Sequence, residues 1–389
     1  MSFTVALFWL SLCYAVYIVL LYPVFLSWLA RIRPWPVHRH PHTPSVSIVI
    51  AAYNGERFLI DKLNSVFALE YPRNLIEVIV VNDGSTDGTV RIAESYGHGI
   101  LVIDSARRGK AGALNQGMAA AKGEVLVFTD VRQTLAPDSL ALLMENFADP
   151  GVGTASAELH ILPGSTNEEA STGAYWRYER WMRLNLSAID SIFGASGSYY
   201  AVRRELAVPI PRHTLNDDMY LPLHAFFRGY RLVVDRRARM YDFPTNLSVE
   251  FDRKVRTLAG NYQMLRYYPE LMGTKNRLLF HFLSYKFGRL FLPFALLLCA
   301  ASSLYAGGAL AIASLVGQTG IYLAALVDPK VPSGSLLKRI TSPIKAFLLM
   351  MAATLCAVRV WFVPPERLWK AAQVSRRDAA PGFAPKDRL

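Results

Sequence analysis

Two patterns alternate along the chain. The first is long and apolar. Residues 1–30 carry no charged side chain, and neither do residues 290–327. About 20 apolar residues cross a bilayer as a helix, so the first run predicts one membrane span and the second has room for two. A third run, 346–358, lies between Lys345 and Arg359. It is short for a span, and the reading favoured here is a re-entrant segment. The second pattern begins after a proline-rich basic linker, 31–44, and consists of short apolar runs separated by amphipathic ones. VSIVIAA (46–52), LIEVIVVND (75–83), GILVID (99–104) and EVLVFTD (124–130) read as buried strands. GERFLIDKLNSVFAL (55–69), TDGTVRIAESY (86–96) and GKAGALNQGMAAA (109–121) read as the helices between them. Strands alternating with helices predict βαβ units and a parallel sheet. The rhythm loosens after Pro163. There, 168–188 reads as a helix with Tyr175, Trp176, Tyr178 and Trp181 clustered, and 276–289 as an amphipathic helix lying on the membrane surface.

Composition changes this picture little. Hydrophobic residues make up 52% of the 389 and charged residues 19%, as expected for a globular domain joined to membrane helices. Arg31, Arg33 and Arg39 follow the first span, which places that side in the cytoplasm. The net charge of +12 gathers beside membrane segments and in the tail 364–389, so anionic lipid, not nucleic acid, is the expected partner. Cys13, Cys299 and Cys356 all lie in apolar segments, which leaves neither a disulfide framework nor a cysteine metal site.

Candidate chemistry sits at the strand ends, where open parallel sheets bind ligands. Tyr53 offers a stacking surface. Asp83 can accept a hydrogen bond from a pyrimidine N–H, or the local acids can simply cap the next helix. Lys110 and Asn115 open a helix after a glycine turn, a setting that favours phosphate. Asp130 ends an apolar strand, placed to contact a ribose and a divalent cation. Two residues on, where Asp-x-Asp would have its second acid, stands Arg132, which can pair with phosphate oxygens. Asp217 and Asp218 adjoin each other before a helix; either mutual repulsion raises the pKa of one and suits it to accept a proton, or the pair is simply the acid-rich start of that helix.

The ordered set AAYNGE, VNDGSTD, RGKAGALN, FTD, GASGSYYAVRR, NDDMYL and RKVRTLAG, spanning about residues 45–262, resembles the membrane-bound family 2 glycosyltransferases. The resemblance implies an α/β GT-A nucleotide-sugar domain over 45–275, followed by membrane segments over 290–363. It also implies an inverting transfer from a UDP-sugar to a lipid-linked or saccharide acceptor at a bacterial inner membrane, with the catalytic domain cytoplasmic. Tyr53, Glu56 and Asp83 would bind uridine, and Lys110 would lie near the base or phosphates. Asp130 would hold Mg2+ or Mn2+, and Asp218 would be the general base. Gly194, Ala195, Ser196 and Gly197 resemble the acceptor-side loop. Two departures stand out. Arg132 replaces the second acid. The Gln-x-x-Arg-Trp signature of polysaccharide synthases becomes Arg253-x-x-Arg256-Thr257, which keeps an arginine able to clamp a diphosphate but loses the indole on which a sugar stacks. A run at Gln263–Tyr267 mimics the signature later in the chain. The lost indole favours transfer over a processive synthase; Arg132 supports a second alternative, an inactive nucleotide-sugar-binding scaffold, against which the intact Asp218 stands.

Overall fold

The computed structural model describes residues 3–97, 99–162, 168–243, 247–332 and 334–368. The globular part is built on one eight-stranded sheet in the order β3-β2-β1-β4-β7-β6-β8-β5. Its first half is the parallel sheet expected from sequence. It consists of β1 (Val46–Ala52), β2 (Ile76–Asp83), β3 (Ile100–Ser105) and β4 (Val125–Asp130), with helices Glu56–Phe67, Thr89–Ser95 and Gly109–Ala120 between them. β1 is paired on both edges and covered on both faces, which is why its sequence is a continuous apolar run without alternation. Parallel register places Ala51 opposite Asp130 and Ala52 opposite Asn82, so the polar strand ends converge along one rim.

The second half of the sheet has no counterpart in the sequence reading. It comprises β5 (Thr134–Leu135), β6 (Val152–Ile161), β7 (Tyr199–Arg203) and β8 (Arg231–Asp242). β7 pairs antiparallel with both β4 and β6, and so joins the parallel half to the rest. β8 runs parallel to β6 with two irregularities in register and interleaves Arg236, Arg237 and Arg239 among its apolar residues. Asp235 offsets that charge by holding Arg237, with Nη2–Oδ2 2.8 Å.

The basic linker is clamped to the domain. Trp35 N donates to the Ala188 carbonyl (2.7 Å), and the buried Arg231 guanidinium donates to the Trp35 carbonyl (2.8 Å). That guanidinium also lies over the Trp35 ring, 4.4 Å from its centroid. The proline-rich stretch therefore fixes how the first helix leaves the domain.

Among the described residues, four helices are long and apolar enough to cross a membrane: Phe3–Ile32, Leu279–Ala306, Ala309–Lys330 and Leu336–Trp361. The first two pack antiparallel. Tyr14 Oη donates to the Gly288 carbonyl (2.8 Å), the Tyr17 hydroxyl meets Ser284 Oγ (2.6 Å), and the Tyr22 hydroxyl lies 3.2 Å from His281 Nδ1. The segment 276–289 is not a separate surface helix. From Leu279 it is the opening of a continuous helix, and Phe282 and Tyr285 are buried in the domain core because that face packs against protein. The last apolar run also differs from expectation. Its helix begins at Leu336, taking in Lys338 and Lys345, whose ammonium groups both reach buried Asp328 (3.1 and 3.3 Å). At its far end Ala357 and Val358 pack with Leu215, Ala259, Tyr262 and Leu290, so the chain returns to the globular domain. Of the aromatic cluster expected on the 168–188 helix, Tyr178 and Trp181 stand 6.2 Å apart, ring to ring, while Tyr175 and Trp176 lie outside the residues whose side chains are described.

Candidate active site

Three strand ends and two helix starts build the site. Asp130, the last residue of β4, pairs with the Lys110 ammonium (Oδ1–Nζ 2.9 Å). The same ammonium reaches Asp217 Oδ1 (3.2 Å) at the start of helix Asp217–Phe227. Lys110 thus bridges the two halves of the site. Burial alone would lower its pKa, but Asp130, Asp217 and Asp218 outweigh that and hold the ammonium above its ordinary range. Burial would likewise raise the Asp130 carboxyl, and the Lys110 charge beside it more than offsets this, so the net shift is downward.

Asp218 behaves oppositely. Burial first, and then the neighbouring Asp217 carboxylate, push its pKa up to about 6. The side chain is half-buried at the edge of loop 194–197. Ala195 N donates to the Asp218 carbonyl (2.7 Å), and a Cβ at position 197 would come within 2.9 Å of Asp218 Oδ2. Gly197 is therefore a condition for the loop to lie against that carboxylate. Ser196 N donates to Ser156 Oγ (2.9 Å), so the loop is also tied to β6. Because a general base must be ionised, the transfer rate should rise with pH through about 6 and level off above it. Asp217→Asn removes the repelling charge and should move that limb to lower pH. A kcat–pH profile flat down to pH 5 in the parent protein would contradict the assignment.

Other expected residues hold less uniform positions. One face of exposed Tyr53 is covered by the Arg107 guanidinium, 3.2 Å from the ring centroid, an arginine that the sequence reading did not single out. Asp83 accepts the Arg108 backbone N–H on Oδ1 (2.6 Å), which folds the 107–109 turn over the end of β2. That turn is close enough that Gly84, at φ +69°, has no room for a side chain against Arg107 N. Glu56 is held by the Gly88 N–H (2.8 Å), linking the first two strand-end turns. Arg256 lies within electrostatic reach of Asp130, Asp217 and Asp218, with Arg253 beside it. Gln263 is occupied with the backbone of His213 and Leu215 (3.0 and 2.9 Å) and braces the loop before Asp217 instead of facing a ligand.

Two readings need correction. Asn115 is not poised for phosphate. Its amide makes a two-way bond to the Ile210 backbone, with Nδ2 to O and N to Oδ1 both at 2.8 Å, which occupies both ends of the side chain. Arg132 does not point its guanidinium freely at a diphosphate. It pairs with Asp242 at the end of β8, which also accepts from Gln133 Nε2 (2.7 Å) and the Phe243 N–H (2.8 Å).

Besides Arg107, a second residue of the site escaped the sequence reading. Lys62 is fully buried, and its ammonium donates to Thr129 Oγ1 (2.6 Å), which itself donates to the Ser198 carbonyl (2.8 Å). This relay joins β4 to the end of loop 194–197 directly behind Asp130. Burial lowers the Lys62 pKa to about 7, partly countered by Asp130 and Asp242. The signal was present: Leu59, Lys62, Leu63 and Val66 share one helical face, and a lysine in an otherwise apolar stripe calls for a partner.

Among the described residues no three His, Cys, Asp or Glu side chains gather as a metal site. Asp130 presents a carboxylate at the rim, with 39% of its side chain exposed. One carboxylate, supplemented by substrate phosphates and water, suffices for a magnesium-type ion. The residues present therefore fit a cation shared with a diphosphate, with Asp130 as its protein ligand.

Comparison with known proteins places this geometry. The poly-beta-1,6-N-acetyl-D-glucosamine synthase of Staphylococcus epidermidis is 31% identical over 162 residues, which cover 37% of this chain and 39% of that protein. Its counterpart from Staphylococcus aureus strain COL is 24% identical over 282 residues, 66% of this chain and 68% of that one. The chain thus spans about two fifths of the first of these relatives. Among solved structures, the mannosyltransferase PcManGT of Pyrobaculum calidifontis, in complex with GDP-Man and Mn2+, superposes with a TM-score of 0.72. That match has 22% identity and covers 92% of this chain and 99% of that one. Residues 47–208 match the model of glycosyl transferase family 2, and with the sheet just described the chain carries a family 2 glycosyltransferase domain on a GT-A fold.

Proposed function

We propose that the protein transfers a sugar from a UDP-sugar to an acceptor hydroxyl with inversion, at the cytoplasmic face of a bacterial inner membrane. The observation that carries this is the convergence of Asp130, Lys110 and Asp217 in one ion-paired group, with the raised-pKa carboxylate of Asp218 at the edge of the acceptor-side loop. Tyr53 and Asp83 hold the uracil end. Lys110 and Arg256 supply positive charge beside the diphosphate, and Arg107 flanks it. A divalent ion bound at Asp130 would neutralise charge on the leaving diphosphate. Asp218 takes the proton of the acceptor hydroxyl as its oxygen attacks the anomeric carbon from the face opposite the diphosphate. Loop 194–197 positions that oxygen.

UDP binding tests the donor half without turnover. Titration calorimetry should show saturable UDP binding, weakened about tenfold or more by Tyr53→Ala, since stacking a base on an aromatic ring contributes roughly 1–3 kcal/mol. GDP binding as tight as UDP would contradict the uridine assignment. The relatives named as synthases keep polymerisation as a second reading, and product length separates it from single addition.

A further inference from the structure

On the acceptor side, the loop is joined to the head of a membrane helix through a cluster of basic side chains. Ser156 Oγ, which receives the Ser196 N–H, also receives Arg183 Nη2 (3.1 Å). One turn earlier on the same helix, Glu179 accepts from Arg289 Nη1 (2.6 Å) and from the Tyr285 hydroxyl, both on Leu279–Ala306. Arg180 pairs with Glu158. Lys286 stands beside Tyr285, its ammonium 5.7 Å from the ring centroid.

Among the described residues the cluster holds four cations, Arg180, Arg183, Lys286 and Arg289, and two carboxylates paired with them, Glu158 and Glu179, which are taken by Arg180 and Arg289; Asp218 feels Lys286 only at a distance. Arg183 gives one N–H to Ser156, and its buried Nε has no hydrogen-bond partner. Lys286 makes no hydrogen bond or ion pair among the described residues. Half-buried cations left without an acceptor are costly unless an anion joins them. A structural role would have matched them with acids, as happened to their two neighbours. The position also selects the anion. It lies on the acceptor side, since Arg183 and the loop share one hydroxyl and Lys286 is among the charges acting on the Asp218 carboxylate. It also lies at the head of a 28-residue apolar helix, where a lipid tail can run alongside.

We propose that Arg183 and Lys286 bind the phosphate of a lipid-linked acceptor, placing the sugar attached to that phosphate with its hydroxyl at Asp218. This rests on the glycosyl-transfer reading for the role of Asp218, while the phosphate site itself is testable apart from catalysis. Arginine and lysine suit the phosphate as fork and point charge respectively, and the apolar helix suits the chain it carries.

The test uses the full-length protein in detergent, with farnesyl phosphate as probe and farnesol, phosphatidate and inorganic phosphate as comparators. The expected result is saturable farnesyl phosphate binding that farnesol and inorganic phosphate do not match. Arg183→Gln and Lys286→Gln should each weaken it about tenfold, as loss of a charge-assisted bond predicts, and Arg183→Lys should restore part of it. UDP affinity, measured in the same samples, should stay unchanged in all three variants. Equal farnesol binding, or variants that bind farnesyl phosphate like the parent, would overturn the proposal. So would equal binding of phosphatidate or inorganic phosphate, which would mark a general headgroup site or a free-anion site. Farnesyl phosphate binding in a protein that fails to bind UDP would sustain this site and sink the donor-site reading.

Discussion

Asp218→Asn should lower the rate of sugar transfer about 10²–10⁴-fold while leaving UDP affinity within a factor of about two. The change is nearly isosteric and removes only the capacity to accept a proton. Several features fix on Asp218 and not on its neighbour. Asp217 is buried and spends one oxygen on Lys110, whereas Asp218 borders the acceptor-side loop and carries a pKa near 6. At pH 7 such a group is mostly ionised yet basic enough to draw a proton in the transition state. Asp217→Asn should act differently: it removes one of the two carboxylates that hold Lys110, and so should disturb donor binding as well as rate. An Asp218→Asn protein that keeps full turnover would remove the base from this account.

Arg132→Asp, the substitution that restores an Asp-x-Asp motif, should inactivate the protein instead of improving it. The guanidinium at position 132 pairs with Asp242, whose side chain is 4% exposed, and Gln133 and the Phe243 N–H share the same carboxylate. An acid at 132 would face that buried carboxylate with no cation between them. Removing one partner of a buried pair costs about 3–5 kcal/mol, and reversing its charge costs no less. For a domain of this size that corresponds to a fall in melting temperature on the order of 10 °C. Arg132→Ala combined with Asp242→Asn should recover much of the loss, because neither charge is then stranded. If Arg132→Asp folded normally and gained metal-dependent turnover, Arg132 would be a replaced metal ligand and not the structural partner of β8.

The sequence made the donor half of the site legible because its strands are buried on both faces. Runs such as VSIVIAA and EVLVFTD admit no other element, and the parallel register then brings Asp83 and Asp130 to one rim. The acids at 217 and 218 were visible as a pair, but which of them borders the loop depends on the close approach of Gly197, a tertiary fact. Asn115 looked like a phosphate group because helix starts often bind phosphate. In the fold, the Ile210 backbone claimed it first. Arg132 was read by its charge, yet its partner arrives from β8, a strand whose arginines hide its apolar alternation. Lys62 was legible in principle, as a charged residue on the buried stripe of its helix, but the hydroxyl it answers is 67 positions away. The membrane end shows the same limit. Hydropathy located the apolar runs, but not that the last helix begins at Leu336 or that its far end packs against Ala259 and Tyr262.

The most direct test of the central claim is UDP release by the purified full-length protein in magnesium, given a panel of UDP-sugars and a membrane-lipid extract as acceptor source. The account predicts turnover with at least one UDP-sugar, halted by EDTA and reduced at least 100-fold in Asp218→Asn. UDP binding without release from any donor, in parent and variant alike, would contradict it and leave a nucleotide-sugar-binding scaffold.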